Sequence, residues 1–240
     1  HKEMSCFTKT IAMDYGWSFD VTLYHRRGTG YVFSNDYITD EQARLEFNKY
    51  LIAPKFEPKK LKWDKKSMQS PGFGNVCAIG MTAGFIEPME ANMLGLSINS
   101  TWELTNTLVS NQFQTENIDW SMFNQRINNS YDDTADFILA HYTLSPRQDT
   151  EFWRDMHDLG IKKKHREMIL DKYLDPNSTT AAAAHSNNLY PDFLWLELAA
   201  AWDVDLSKWP RKSIDEEELA LAKAHFDYLN LNTKVASKYF

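Results

Sequence analysis

The sequence has little cysteine, no excess of positive charge and no long apolar run, and each shortage excludes something. Only Cys6 and Cys77 occur among 240 residues. Two cysteines leave little room for a disulfide framework or a cysteine-based zinc site, so a reducing compartment is expected. Lys and Arg number 26 against 33 Asp and Glu, a net charge of −7. Surfaces that bind nucleic acid or anionic membranes are basic, so neither partner is expected. No apolar run reaches the ~18 residues of a membrane span, and no signal-peptide pattern is present, which makes a cytoplasmic location the reading. HExxH, Walker A, GxSxG and paired-cysteine metal motifs are absent, as are GxGxxG and any internal repeat. The seven histidines are scattered, and no metal site is expected. Glycosylation-type triplets at Asn99, Asn128 and Asn177 are chance matches without a secretory signal. The chain opens on His1-Lys2-Glu3 and not on methionine, and is read as a piece of a longer polypeptide.

What is present is apolar and aromatic. Hydrophobic residues make up 43%, with eight Trp, eleven Tyr and fourteen Phe. That is enough for one or two substantial cores, and aromatic walls around a flat ligand would draw on the same residues. Trp17 to Tyr24 alternates, with Trp17, Phe19, Val21 and Leu23 on one face, and predicts a half-buried strand. Arg26-Arg27-Gly28-Thr29-Gly30 predicts a turn and Tyr31-Val32-Phe33 a returning strand. Thr39-Asp40-Glu41-Gln42 is a capping box before Ala43, Phe47, Tyr50 and Leu51 at helical spacing, and Pro54 stops that helix. The lysines from Lys55 to Lys66 read as a solvated strand and turn, with a phosphate-facing role as the lesser alternative.

The chain is organised around residues 75–95. Val76 to Ile79 predicts a short buried strand. Gly80 and Gly84 free the backbone, Pro88 fixes it, and a helix with Leu94, Ile98, Trp102 and Val109 at helical spacing begins near Glu90. Such a strand–turn–helix unit points unpaired N–H groups at an anion or the electron-rich edge of a cofactor. It is equally a tight connection with Glu90 as a favourable first-turn carboxylate.

Later residues predict helices. Asp119 caps one carrying Phe123, Ile127, Tyr131, Thr134, Ile138 and His141 on a single face, with His141 read as a core or rim residue. Another starts near Thr150 and ends at Gly160 as C-cap, and Ile161 to Leu174 is a third. Asp192 to Trp202 predicts a buried helix, Trp209-Pro210 a boundary, and Ser213-Ile214-Asp215-Glu216 the capping box of a last helix. Trp120, Trp153, Trp195 and Trp202 are core candidates first and pocket candidates second.

The segment GNVCAIGMTAGFIEPMEANMLGLSIN closely resembles the flavin-contacting unit of flavin-dependent halogenases of the tryptophan-halogenase type, whose turn reads A-x-G-x-x-x-G-F-x-E-P-x-E-S-T. TIAMDYGWSFDVTLYHRRGTGYVFSNDYITDEQA and SYDDTADFILAHYTLSPRQDTEFWRD resemble two further family segments, in family order, over about residues 5 to 156. The resemblance implies an α+β fold with a mixed or antiparallel sheet, the strand–turn–helix unit against a flavin, and a mainly helical C-terminal region. Residues 1–110 would be the sheet-containing part of the flavin and substrate domain, and residues 111–240 the helical, substrate-side region. It also implies an enzyme that uses reduced FAD, renewed by a separate flavin reductase, with O₂ to oxidise a halide. The hypohalous acid formed passes through a tunnel to an electron-rich aromatic small molecule. Carried over residue by residue, Glu90 is the catalytic glutamate, and the backbone N–H groups of Asn92 and Met93 hold the halide. Gly84, Phe85, Ile86, Pro88 and Ala91 would line the flavin.

Three departures accompany the resemblance. The family's W-x-W-x-I-P is Trp17-Ser18-Phe19-Asp20-Val21-Thr22 here, so the barrier between flavin and substrate would rest on Trp17 and Phe19. The Ser-Thr after the catalytic glutamate is Ala91-Asn92, which favours bromide or iodide, since larger halides are less costly to strip of water. The GxGxxG region and catalytic lysine of the family precede all three segments and have no counterpart. The chain is therefore expected to be the C-terminal part of such an enzyme, inactive without the N-terminal part. A flavin-dependent hydroxylating monooxygenase and a non-catalytic binding domain on the same framework are the alternatives.

Overall fold

A computed structural model describes residues 8–51, 57–175, 189–205 and 207. Among them the chain divides into two compact units, one of residues 8–51, 57–59 and 148–154, the other of residues 60–147, 155–175, 189–205 and 207. The fold is α+β, with antiparallel strand pairings and helices that predominate after residue 91.

The first unit is built on a three-stranded antiparallel sheet in the order β1 (Lys9–Met13), β2 (Gly16–Thr22), β3 (Arg27–Phe33). The sequence pattern predicts β2 and β3 but not β1, in which Met13 is buried, Ile11 is half-buried and Lys9, Thr10 and Ala12 are exposed. The reversal between β2 and β3 lies one step earlier than the glycines suggest. Leu23 N donates to Arg26 O at 2.8 Å, and Gly28 and Gly30 sit within β3. Gly30 is needed there because the Phe19 ring lies where its Cβ would be. β2 is covered on both faces, not one: Trp17 is buried, and so are Ser18 and Asp20. Asp20 tolerates burial because Arg27 clasps it through Nε (2.6 Å) and Nη2, a bond that holds its carboxyl below the usual range.

The capping box at Thr39 forms as the sequence predicts, and α1 (Asp40–Tyr50) buries Ala43 and Phe47. Pro54 lies outside the described residues. The end of β1 is anchored by side chains of the segment 148–154. Trp153 Nε1 donates to Met13 O at 2.7 Å and Thr150 Oγ1 to Asp14 O at 2.7 Å.

In the second unit, short ladders replace the predicted buried strand. β5 (Gly72–Phe73) pairs with β6 (Val76–Cys77), and Val76 is exposed. β4 (Lys66–Ser67) pairs with β7 (Gly84–Phe85). These lead into α2 (Asn92–Ser110), which lies against α3 (Ser121–Thr143). α3 starts with Asp119 Oδ1 accepting from Ser121 N at 3.0 Å. It buries Phe123, Ile127, Tyr131, Thr134 and Ile138, the face its spacing predicts. α4 (Glu151–Ile161), which enters this unit at Asp155, runs through Gly160 instead of ending there. A Cβ at Gly160 would stand 2.5 Å from Thr143 O, so this glycine serves close packing and not a cap. Lys164, in the left-handed region, separates α4 from α5 (His165–Leu174). α5 and α6 (Asp192–Ala201) enclose a core in which Tyr173 stacks on Trp195 at 3.9 Å and Phe137 meets Trp195 edge-on. The predicted boundary at Trp209-Pro210 and the last helix lie outside the described residues. Among the described residues no helix is long and apolar enough to cross a membrane.

Candidate functional site

The site grows from the turn between β7 and α2, and the chain's own polar groups fix that turn almost residue by residue. Gly84 has no room for a side chain: a Cβ would lie 2.8 Å from both Lys66 O and Tyr131 Cε1. The buried Tyr131 hydroxyl sits 3.0 Å from Gly80 O and 3.1 Å from Gly84 O, sharing its one proton between two carbonyls. Trp63 Nε1 donates to Ile86 O at 3.0 Å, and its ring meets Phe85 edge-on. Gly84 and Ile86 are thus enclosed by the chain itself, Phe85 and Pro88 are half-buried, and Ala91 is exposed.

Beyond Pro88 the backbone does something the sequence does not advertise. Glu90 (φ 60°) and Ala91 (φ 49°) both adopt the left-handed region, where a side chain costs on the order of 1–2 kcal/mol per residue. The helix begins at Asn92, near Glu90 as its spacing predicts, but Glu90 itself stands before it on a sharp corner. Asn92 secures that corner. Its Nδ2 donates to Glu87 O at 2.8 Å and Met89 O at 2.6 Å, which fixes the orientation of the amide. Asn92 Oδ1 is consequently left buried without a partner. With Asn92 turned back in this way and Ala91 at the N-cap, no side chain caps the first N–H groups of α2.

Two adjacent residues of α3 hold the two glutamates of Glu87-Pro88-Met89-Glu90. Tyr142 Oη donates to the Glu87 carboxylate, 3.0 and 3.2 Å from its oxygens. His141 Nε2 lies 3.2 Å from Glu90 Oε1, and His141 Nδ1 lies 2.9 Å from Phe137 O. The Glu90 side chain is 45% exposed, with Oε1 against the histidine. The His141 bond lowers the Glu90 carboxyl below its usual range, against burial, which works the other way. Phe137 meets the His141 ring edge-on at 5.1 Å and stacks on Tyr190 at 4.2 Å. Burial pushes the Tyr190 hydroxyl up to about 12, a bond to Thr134 opposes that, and the negative charge of Glu90 adds to it. Tyr190 is therefore close enough to sense the carboxylate.

Sequence reasoning reads His141 as a core or rim residue and does not connect it to Glu90. The signal is present in the H-Y pair of the third resembling segment, but periodicity places His141 on a face without saying what that face meets. Trp17 is buried in β2, and Phe19, with its ring centroid 6.0 Å from that of Trp17, covers Gly30. Both belong to the first unit, whereas Glu90, Asn92 and Met93 belong to the second. Trp120, Trp153 and Trp195 are all buried, and each indole N–H donates to a carbonyl, of Gly74, Met13 and Tyr190 respectively. Those three are anchors, not pocket walls. Burial raises the Cys77 thiol, consistent with an unreactive position.

A carboxylate on a strained corner, held by an imidazole and followed at once by an uncapped helix start, is a constellation for proton uptake beside an anion. Residues 1–209 match the tryptophan halogenase family, and the chain belongs to that family. It is 31% identical over 186 residues to the tryptophan 7-halogenase RebH of Lentzea aerocolonigenes, covering 77% of this chain and 34% of that protein. To the tryptophan 7-halogenase KtzQ of Kutzneria sp. (strain 744) it is 33% identical over 165 residues, covering 68% and 31% respectively. Among solved structures, a tryptophan halogenase from Shewanella frigidimarina superposes with a TM-score of 0.72 at 25% identity, over 99% of this chain and 45% of that one. BrvH, a flavin-dependent halogenase from Brevundimonas sp. BAL3, shares the fold with a TM-score of 0.71 at 24% identity, over 93% and 45%. The chain thus spans about a third of the length of these curated relatives and under half of the solved ones.

Proposed function

We propose that the chain acts as the C-terminal part of an FADH₂- and O₂-dependent halogenase that halogenates an electron-rich aromatic small molecule. The observation that carries this reading is Glu90, a carboxylate kept ionised by His141 on a left-handed corner. The residues around it suit the cofactor and the halide. The start of α2 has no side-chain cap, which suits an anion at the Asn92 and Met93 N–H groups. Phe85, Pro88 and Ala91 are the accessible members of the proposed flavin lining, and Gly84 and Ile86 shape it from behind.

Reduced FAD, when bound, would supply with O₂ the oxidising power that converts halide to hypohalous acid. Glu90 would accept a hydrogen bond from that oxidant and take up the proton the arene loses on substitution. Trp17 and Phe19 would keep the arene from the cofactor. With Ala91-Asn92 in place of two hydroxyl residues, bromide or iodide would be preferred over chloride. A flavin reductase and an N-terminal polypeptide would complete the system.

Product analysis tests this. With the upstream polypeptide, FAD, a flavin reductase and O₂ supplied, a halide-dependent mass shift in an indole or phenol is expected, largest with bromide or iodide in competition. The 240 residues alone should give none. A halide-independent gain of oxygen would instead identify a hydroxylase, and no turnover with any arene a binding domain. Glu90→Gln should lower halogenation by about 10²–10⁴-fold; unchanged turnover would remove Glu90 from the chemistry.

A further inference from the structure

We infer that His141 is a positioning residue for Glu90, holding one proton between its Nε2 and Glu90 Oε1 so that Oε2 is the oxygen offered to a reacting group. The inference rests on the halogenase reading for its functional consequence, but the pairing itself stands on geometry. A carbonyl oxygen can only accept, so the 2.9 Å contact to Phe137 O places a proton on His141 Nδ1. A neutral ring carrying that proton would then aim the bare lone pair of Nε2 at a carboxylate oxygen 3.2 Å away. That arrangement is repulsive unless a second proton lies between Nε2 and Oε1. Geometry therefore requires the ring and the acid together to hold one more proton than a neutral Nδ1–H imidazole and a bare carboxylate would.

The surroundings favour keeping the charge on Glu90. The bond from His141 outweighs partial burial in setting the direction in which its carboxyl moves. The other titratable groups facing the pair are hydroxyls or already matched. Tyr190 comes from the segment before α6, its hydroxyl bonded to Thr134 and raised by burial, so it stays neutral. On the turn, Glu87 is engaged by Tyr142 from α3. Phe137 sets the ring plane through its edge contact and its carbonyl. His141 touches the acid and no reacting atom. Its work is to hold Glu90 ionised and in one rotamer on a corner whose backbone Asn92 secures.

The sign of the pH effect follows. A depressed carboxyl is in its proton-accepting form over a wider range, and removing its partner moves it upward. The stability this adds is present above the unfolded value near ~4.3 and is lost as pH falls through the lower folded value. His141→Phe should therefore move the midpoint of the Glu90 side-chain ¹³C titration in the 240-residue protein to higher pH. His141→Gln, which restores a donor without the charge, should fall between the two and covers the case in which the phenylalanine variant does not fold. In the halogenating enzyme, the acid limb of the kcat/KM profile should move the same way. kcat should fall about ten- to a hundredfold while KM changes little. An unchanged Glu90 titration in both folded variants would overturn the pairing and leave the halogenase reading intact. A titration that responds as stated, in a protein that halogenates no arene, would do the reverse.

Discussion

α2 and α3 are neighbouring helices of the second unit, both predicted from apolar spacing, and they turn their stripes in opposite directions. In α3 the predicted face, Phe123 through Ile138, is the buried one. In α2 the predicted face is the outer one, with Leu94, Ile98, Trp102 and Val109 between 55% and 70% exposed. Its inner face carries Asn92, Leu96, Ser100 and Glu103. Ser100 and Glu103 can be buried there because each finds a partner, and the half-buried Asn99 beside them does too. Ser100 Oγ donates to Leu96 O, Asn99 Nδ2 to Ser130 Oγ at 2.9 Å, and Arg126 Nη1 to Glu103 Oε2 at 2.8 Å. The last two bonds join α2 to α3, so the contact between these helices is partly a polar clasp. Periodicity tells which residues share a side of a helix. Which way that side faces depends on what the neighbour offers, and here the neighbour offers hydrogen bonds.

The comparison predicts unequal sensitivity, greatest where apolar spacing and burial coincide. Phe123 is 1% exposed and meets Trp120 edge-on at 5.4 Å. Phe123→Ala should destabilise the protein by about 3–5 kcal/mol, read as a drop in the urea midpoint with unchanged slope. A loss below about 1 kcal/mol would mean that α3 does not provide the core the packing indicates.

The same contrast explains what could be read from the sequence. α1 was legible because a capping box is local chemistry, completed within four residues from Thr39 to Gln42. α3 was legible because its apolar spacing and its burial agree. β1 was not, since Lys9, Thr10 and Ala12 are exposed and the strand exists only because β2 offers it a ladder. The identity of the site turn was legible through motif resemblance, but its shape was not. No propensity predicts left-handed Glu90 followed by left-handed Ala91. Asn92, a residue that would ordinarily cap a helix, spends its amide on Glu87 O and Met89 O instead. His141 escaped because it lies 51 residues beyond Glu90, and a pairing at that separation leaves no periodic trace.

The polar clasp should rank below the core in effect. Arg126→Met removes the cation from Glu103, whose side chain is 4% exposed, while the arginine itself is 41% exposed and retains water as an alternative partner. Because solvent screens half of this pair, the expected loss is about 1–2 kcal/mol, less than a fully enclosed ion pair would show. Glu103→Gln keeps a hydrogen-bond acceptor and should lose less. If both variants matched the parent protein in denaturant, the inner face of α2 would owe its burial to Leu96 alone and the clasp would be incidental.

The smallest effect should come from the apolar stripe that helical spacing marks on α2. Trp102 is 65% exposed and, with Ile98, Ser97, Thr101 and Thr105, borders a shallow depression of about 340 Å³ on the outer face of α2. A side chain already in water gives up little burial when truncated, so Trp102→Ser and Ile98→Ser should each change stability by less than about 0.5 kcal/mol. Serine has about the same helix propensity as Trp and Ile, so propensity does not enlarge that figure. The double variant sharpens the test: the two are i, i+4 neighbours bordering one depression, so their coupling should add no more than about 0.2–0.5 kcal/mol to the sum of the singles. A loss of several kcal/mol in the 240-residue protein would show that the stripe is packed after all, and the opposed orientation of α2 and α3 would have to be abandoned.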